Sequence, residues 1–166
     1  MDIVIKSTLN TLSKSQVLLS KLSNDQLGDI SVPPYFSSVG SHIRHILDFY
    51  NCIFSEVNRE IDLTARNRNV DVETCCDTAT CYLNTLIEKV SKLKGTEINR
   101  EVFVIDDLGM GKTKLNYTFS AILAQANSHT IHHYAIISYI LDRIDVEIED
   151  ETFGYNPTTP RQIILK

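Results

Sequence analysis

The sequence predicts an all-α protein: an antiparallel four-helix bundle with a short β-hairpin insert before the last helix. Three observations predict it. Residues 1–27, 41–94 and 112–153 contain neither proline nor glycine, and breaker-free stretches of that length fit long helices. Apolar residues recur through them at three- and four-residue spacing, the mark of a helix with one buried face. Ahead of the last stretch, two β-branched and aromatic runs flank Gly109-Met110-Gly111, the pattern of a hairpin.

The first helix is expected from about Asp2 to Leu22, with Ile5, Leu9, Leu12, Val17 and Leu18 on its apolar face. Residues 23–38 read as a loop held open by Pro33-Pro34. A second helix is expected from Ser38 to Ile61, carrying Val39, Ile43, Ile46, Tyr50, Ile53 and Val57 on one stripe. Residues 62–69, rich in Arg and Asn, break the helical run. A third helix covers Val70 to Leu93, through Val72, Ala79, Leu83, Leu86, Ile87 and Val90. The hairpin strands are Glu101–Asp106 and Leu115–Phe119, and the fourth helix runs from Phe119 to Ile144. The tail, Phe153-Gly154-Tyr155-Asn156-Pro157, reads as an extended cap. A chain of 166 residues supplies one ordinary core, so residues 1–166 are expected to form a single domain.

With 43% hydrophobic and 22% charged residues, the composition is that of a globular protein rather than a disordered one. The formal charge of -5 and the lack of a basic stripe argue against nucleic acid as a partner. No apolar run is long enough to cross a bilayer and no secretory signal opens the chain, so a cytoplasmic protein is expected. Cys52, Cys75, Cys76 and Cys81 lack zinc-finger spacing and are expected to be reduced thiols.

The chemistry resides in the histidines. His129 and His133, in Ser128-His129-Thr130-Ile131-His132-His133-Tyr134, are four apart and share a helix face, so both imidazoles can reach one cation. On a helical wheel with His129 at zero, His133 lies at about 40° and the apolar Ile122, Ala126, Ile137, Ile140 and Ile144 between about 20° and 80°. Both rings are therefore expected to point into the bundle. His132, at about 300°, is placed as a neighbour rather than a ligand. Two histidines buried together are costly unless a cation or a hydrogen-bond network takes up their ring nitrogens. The second cluster is Ser41-His42-Ile43-Arg44-His45-Ile46-Leu47-Asp48. His42 falls nearer the middle of the apolar stripe and His45 at its edge, and periodicity does not choose between them. Asp48, one turn after His45, could hold that imidazole from outside the metal.

Other motifs are weaker. Thr130 stands where a zinc protease of the His-Glu-x-x-His type needs Glu, which excludes that class. Gly109-Met110-Gly111-Lys112-Thr113 ends like a phosphate-binding loop, yet Asp106 occupies the position of the first glycine. Arg66 and Arg68 with Glu73 could reach over a substrate anion, although a solvated loop is the commoner fate of such residues. Tyr50, Tyr134 and Tyr139 flank the histidines in sequence and are candidate proton donors, with packing as their ordinary role.

The helix carrying Gly40-Ser41-His42-Ile43-Arg44-His45-Ile46-Leu47-Asp48-Phe49-Tyr50, the hairpin, and then His129-Thr130-Ile131-His132-His133-Tyr134 together resemble the DinB-like (DinB/YfiT) superfamily of metalloenzymes, over nearly the whole chain. The resemblance implies His45, His129 and His133 as metal ligands, with His42 second to His45. It also implies a four-helix bundle, a divalent ion (zinc or nickel) and frequent homodimers. Many members carry Arg after the last histidine, where this chain has Tyr134, so any role resting on that Arg does not transfer. Better-studied branches resemble thiol S-transferases that use a low-molecular-weight thiol, or metal-dependent hydrolases acting on small-molecule substrates. The expected function is therefore a metal-dependent transferase or hydrolase. The alternative is a non-catalytic bundle whose metal is structural or incidental and which acts through dimerisation or partner binding.

Overall fold

The computed structural model describes residues 2–160. Its elements are α1 (Ile3–Lys21), α2 (Asn24–Gly28), α3 (Val39–Phe54), β1 (Glu60–Asp62), α4 (Asp71–Thr74), α5 (Cys76–Ser91), β2 (Glu101–Asp107), β3 (Lys112–Thr118) and α6 (Phe119–Arg143). The expected four-helix bundle with a lone hairpin is therefore corrected. Six helices accompany a three-stranded mixed sheet among the described residues, and the architecture is helix-dominated rather than all-α.

Each correction has a local cause. The second predicted helix stops at Phe54 instead of Ile61: Ser55 leaves the helix, its N–H donating to the Cys52 carbonyl (3.2 Å), and Asn58 and Arg59 then adopt positive φ of 54° and 64° and reverse the chain. Val57, assigned to the buried stripe, is 67% exposed. The residues that follow, Glu60-Ile61-Asp62-Leu63, alternate polar and apolar, and Ile61 and Leu63 are buried. They enter the sheet as β1, parallel to β2, with Phe103 N–H donating to the Arg59 carbonyl (2.7 Å) and Leu63 N–H to that of Ile105 (2.9 Å). The third predicted helix is split into α4 and α5 by an extended residue, Cys75, at φ -131° and ψ 112°. Within the predicted loop, Ser23 and Gln26 form a capping box that starts α2. The tail is a series of turns rather than an extended cap, with Phe153 stacked on Tyr134 at 4.4 Å between ring centroids.

The hairpin forms as expected, in slightly longer strands, with β2 pairing β3 from Glu101↔Thr118 to Asp107↔Lys112. Gly109 and Gly111 take φ of 94° and 103° at its tip, a conformation that a Cβ would strain.

In the helical layer α1 packs against α5 and α6, and α3 against the same two. Ile5, Leu12, Ile43, Ile53, Leu83, Leu86, Ile122 and Ile137 fill the space between them. Two polar groups are buried with partners rather than left bare. Tyr134 donates to the Thr11 carbonyl (2.8 Å) beside Ser15 Oγ (2.6 Å), and Thr130 donates to the Ala126 carbonyl (2.8 Å). Gly40 lets α3 approach α4 closely, since a Cβ there would lie 1.9 Å from the Glu73 carbonyl oxygen. No described helix is long and apolar enough to cross a membrane.

Candidate metal centre

Packing of α3 on α6 builds the site. Ser38 caps α3, its Oγ accepting from Ser41 N–H (3.0 Å), and Thr118 caps α6 by accepting from Ala121 N–H (3.1 Å). His42 and His45 face across from His133 and His129 respectively. The earlier histidine of one helix meets the later one of the other, so α3 and α6 run in opposite directions where they cross.

One ligand atom from each of His45, His129 and His133 lies within 4.8 Å of the others, and all three residues are half-buried. His129 Nε2 is the hub, 2.8 Å from His45 Nε2 and 3.1 Å from His133 Nε2. A tetrahedral ion with Zn–N bonds of about 2.0–2.1 Å sets its ligand nitrogens roughly 3.3 Å apart. The two contacts at His129 Nε2 fall short of that spacing by a few tenths of an ångström. The three imidazoles thus form a cluster that could hold a metal ion.

Burial depresses all of these rings, because low polarity disfavours the charged imidazolium. Burial first, and then the neighbouring Arg66, pushes His45 down to about 4. Burial first, and then the other histidines, takes His133 to about 3. His129 and His42 are lowered by burial and by His132, with Asp106 acting on His129 in the opposite sense. Neutral rings are the protonation state that metal binding requires, with each proton on the nitrogen turned away from the ion.

The surrounding residues differ from expectation in three places. The rings of His129 and His133 do not point into the middle of the core. The fully buried positions of α6 are Thr130 and Tyr134 with their apolar neighbours, and the two histidines sit at the edge of that arc. Asp48 forms no hydrogen bond with His45. It is wholly buried and accepts from Arg44 Nη1 (3.0 Å), the Arg68 backbone N–H (3.0 Å) and the Tyr82 hydroxyl (3.2 Å). An ion partner one turn away on its own helix takes the carboxylate first. Glu73 is likewise occupied by Arg44 and does not join Arg66 and Arg68.

Two partners do reach the ligands. His42 Nδ1 lies 2.9 Å from His133 Nδ1, and its Nε2 lies 2.9 Å from Ser37 Oγ. Arg66 Nη1 donates to His45 Nδ1 (3.1 Å) while its Nε–H donates to the Leu63 carbonyl (3.1 Å). In the sequence Arg66 is a candidate, with Arg68 and Glu73, to reach over a substrate anion; the contact with His45 is what the fold adds. His132 is exposed, its ring 5.5 Å from that of His133, and stays outside the cluster. Tyr50 and Tyr134 are buried and bonded or packed in the core, and Tyr139 is 76% exposed, so none of the three donates a hydrogen bond to the cluster. All four cysteines are free thiols, and none belongs to the cluster. A cleft of about 490 Å³ between the end of α6 and the tail, lined by Ser138, Leu141, Asp142 and Phe153, holds no histidine.

Comparison with protein-family models, with curated proteins and with solved structures finds no match to this chain. The case for function therefore rests on the geometry around His129.

Proposed function

We propose that this protein is a DinB-like metalloenzyme that binds a divalent ion, zinc or nickel, through His45, His129 and His133. The reaction is of the thiol S-transferase or hydrolase type. The observation that carries the reading is the convergence of three imidazole nitrogens on one half-buried point, with no fourth protein ligand among the described residues. Structural zinc sites are closed by four protein ligands, whereas catalytic sites keep a position open. When bound, such an ion acidifies a water or holds a thiolate. The chain's own contribution is to keep the three rings neutral and aimed, and His42 fixes the far nitrogen of His133. The choice of zinc or nickel, a low-molecular-weight thiol as co-substrate and a homodimer all rest on family resemblance.

One observation favours the second reading, a non-catalytic bundle with an incidental or structural metal. Separations of 2.8 and 3.1 Å are also hydrogen-bond lengths, so the histidines could satisfy one another. In that scheme, however, His129 Nε2 must serve both contacts, and a neutral ring nitrogen has either one proton or one lone pair to offer.

Elemental analysis of the purified protein and of His45→Ala, His129→Ala and His133→Ala separates the two. One equivalent of metal in the parent and little in each variant supports the metal centre, as does joint consumption of a thiol and an electrophile by the loaded protein. A parent that takes up no metal, or stability that collapses when the metal is removed, favours the second reading.

A further inference from the structure

Arg66 is a half-buried cation with no carboxylate partner among the described residues. Of the five N–H donors of a guanidinium, one goes to the Leu63 carbonyl and one to His45 Nδ1, leaving three unspent. A cation at this position beside a cluster of neutral imidazoles is electrostatically odd. It adds positive charge to a site built for a positive ion, and none of the three imidazoles can offset it. Asp106 is the carboxylate whose field opposes this at His129, and it forms no ion pair with Arg66.

The contact with His45 carries a further consequence. Arg66 can only donate, so His45 Nδ1 must accept, and the single ring proton of a neutral His45 then sits on Nε2. That is the nitrogen aimed at the cluster. For His45 to offer a lone pair there, its proton must move to Nδ1, where Arg66 has nothing to accept it with. Arg66 and a metal ion therefore compete for the tautomer of His45. Once released, the guanidinium remains tethered through Nε to Leu63, next to the ligand shell.

We propose that Arg66 recognises the substrate of this centre. The small molecule that enters the open position carries a carboxylate or a similar two-oxygen anion, and Arg66 turns from His45 to pair with it. The planar fork of donors matches such a group in a way a point charge does not. The anion also supplies the negative charge that an all-imidazole ligand set lacks. This inference rests on the metal-centre reading and adds the chemical class of the ligand.

The test uses cobalt(II)-loaded protein, whose visible absorption reports changes at the ion. Thioglycolate and its uncharged counterpart 2-mercaptoethanol are titrated into the parent, Arg66→Gln and Arg66→Lys. The expected result is a preference for thioglycolate of about ten-fold in the parent, partly kept in Arg66→Lys and lost in Arg66→Gln. Cobalt stoichiometry by equilibrium dialysis is measured on all three in parallel. If cobalt binds equally to all three and the preference is absent in the parent or unchanged in Arg66→Gln, the role of Arg66 is overturned and the metal centre stands. If the parent binds no cobalt, both fall together.

Discussion

His42 and His133 meet Nδ1 to Nδ1 at 2.9 Å, and only one of the two nitrogens can carry the proton between them. If His133 Nε2 gives its lone pair to a metal, the proton sits on His133 Nδ1. His42 then accepts it and passes its own Nε2–H to Ser37 Oγ at 2.9 Å. The chain from cluster to Ser37 has one donor and one acceptor at every link.

His42→Ala should consequently weaken metal affinity by about 10–100-fold, the usual cost of losing such an outer partner. Competition against a chromophoric chelator reads this directly. Ser37→Ala, one link further out, should cost less, and an unchanged affinity in His42→Ala would show that His133 is oriented by packing alone.

Asp48 is expected to matter for folding rather than for metal. It is wholly buried and ties together Arg44, the Arg68 backbone and Tyr82 from three parts of the chain. Asp48→Ala leaves the half-buried Arg44 without this partner and should lower stability by about 3 kcal/mol. Urea unfolding of metal-free protein measures it. A loss of metal affinity with an unchanged urea midpoint would instead restore Asp48 to the metal site.

Close approach of α3 and α4 makes a sharper prediction. A methyl group at Gly40 would fall 1.9 Å from the Glu73 carbonyl oxygen, which is backbone and cannot swing aside. Gly40→Ala should cost about 3 kcal/mol or more, seen as a lower urea midpoint. It should also disturb the Arg44–Glu73 pair across the same contact.

Acid should destabilise the metal-free protein well above the carboxylate range. An unfolded histidine titrates at about 6.5, whereas burial lowers His45 to about 4 and His133 to about 3. Between those values the unfolded chain binds more protons than the folded one, so stability falls as the pH drops from 6.5. Urea midpoints at pH 7.5 and pH 4.5 should differ more for the parent than for a His45→Gln/His133→Gln double variant. Equal slopes would mean that the folded rings protonate as freely as the unfolded ones.

Much of the helical layer was legible in the sequence because its signals are local. Proline- and glycine-free stretches with apolar spacing placed α1 and α6 to within a residue or two at each end. What escaped was decided by single backbone events. The apolar spacing of Val57 and Ile61 fits a continuing helix as well as a turn and a strand, and the positive φ of Asn58 and Arg59 selects the second. Once β1 forms, it needs β2 as a partner more than forty residues away, and no local pattern announces a parallel pairing.

By itself, the sequence determined that His129 and His133 would share a helix face, since a helical spacing of four leaves them no other arrangement. It also determined that a second pair of histidines would lie on another amphipathic helix. Periodicity left His42 and His45 open and family resemblance favoured His45; only the tertiary structure decided that Asp48 serves Arg44 and not His45, and that Arg66 contacts His45. Those outcomes depend on which helix crosses which, in what direction and at what height, and such relations are set by packing between segments remote in sequence.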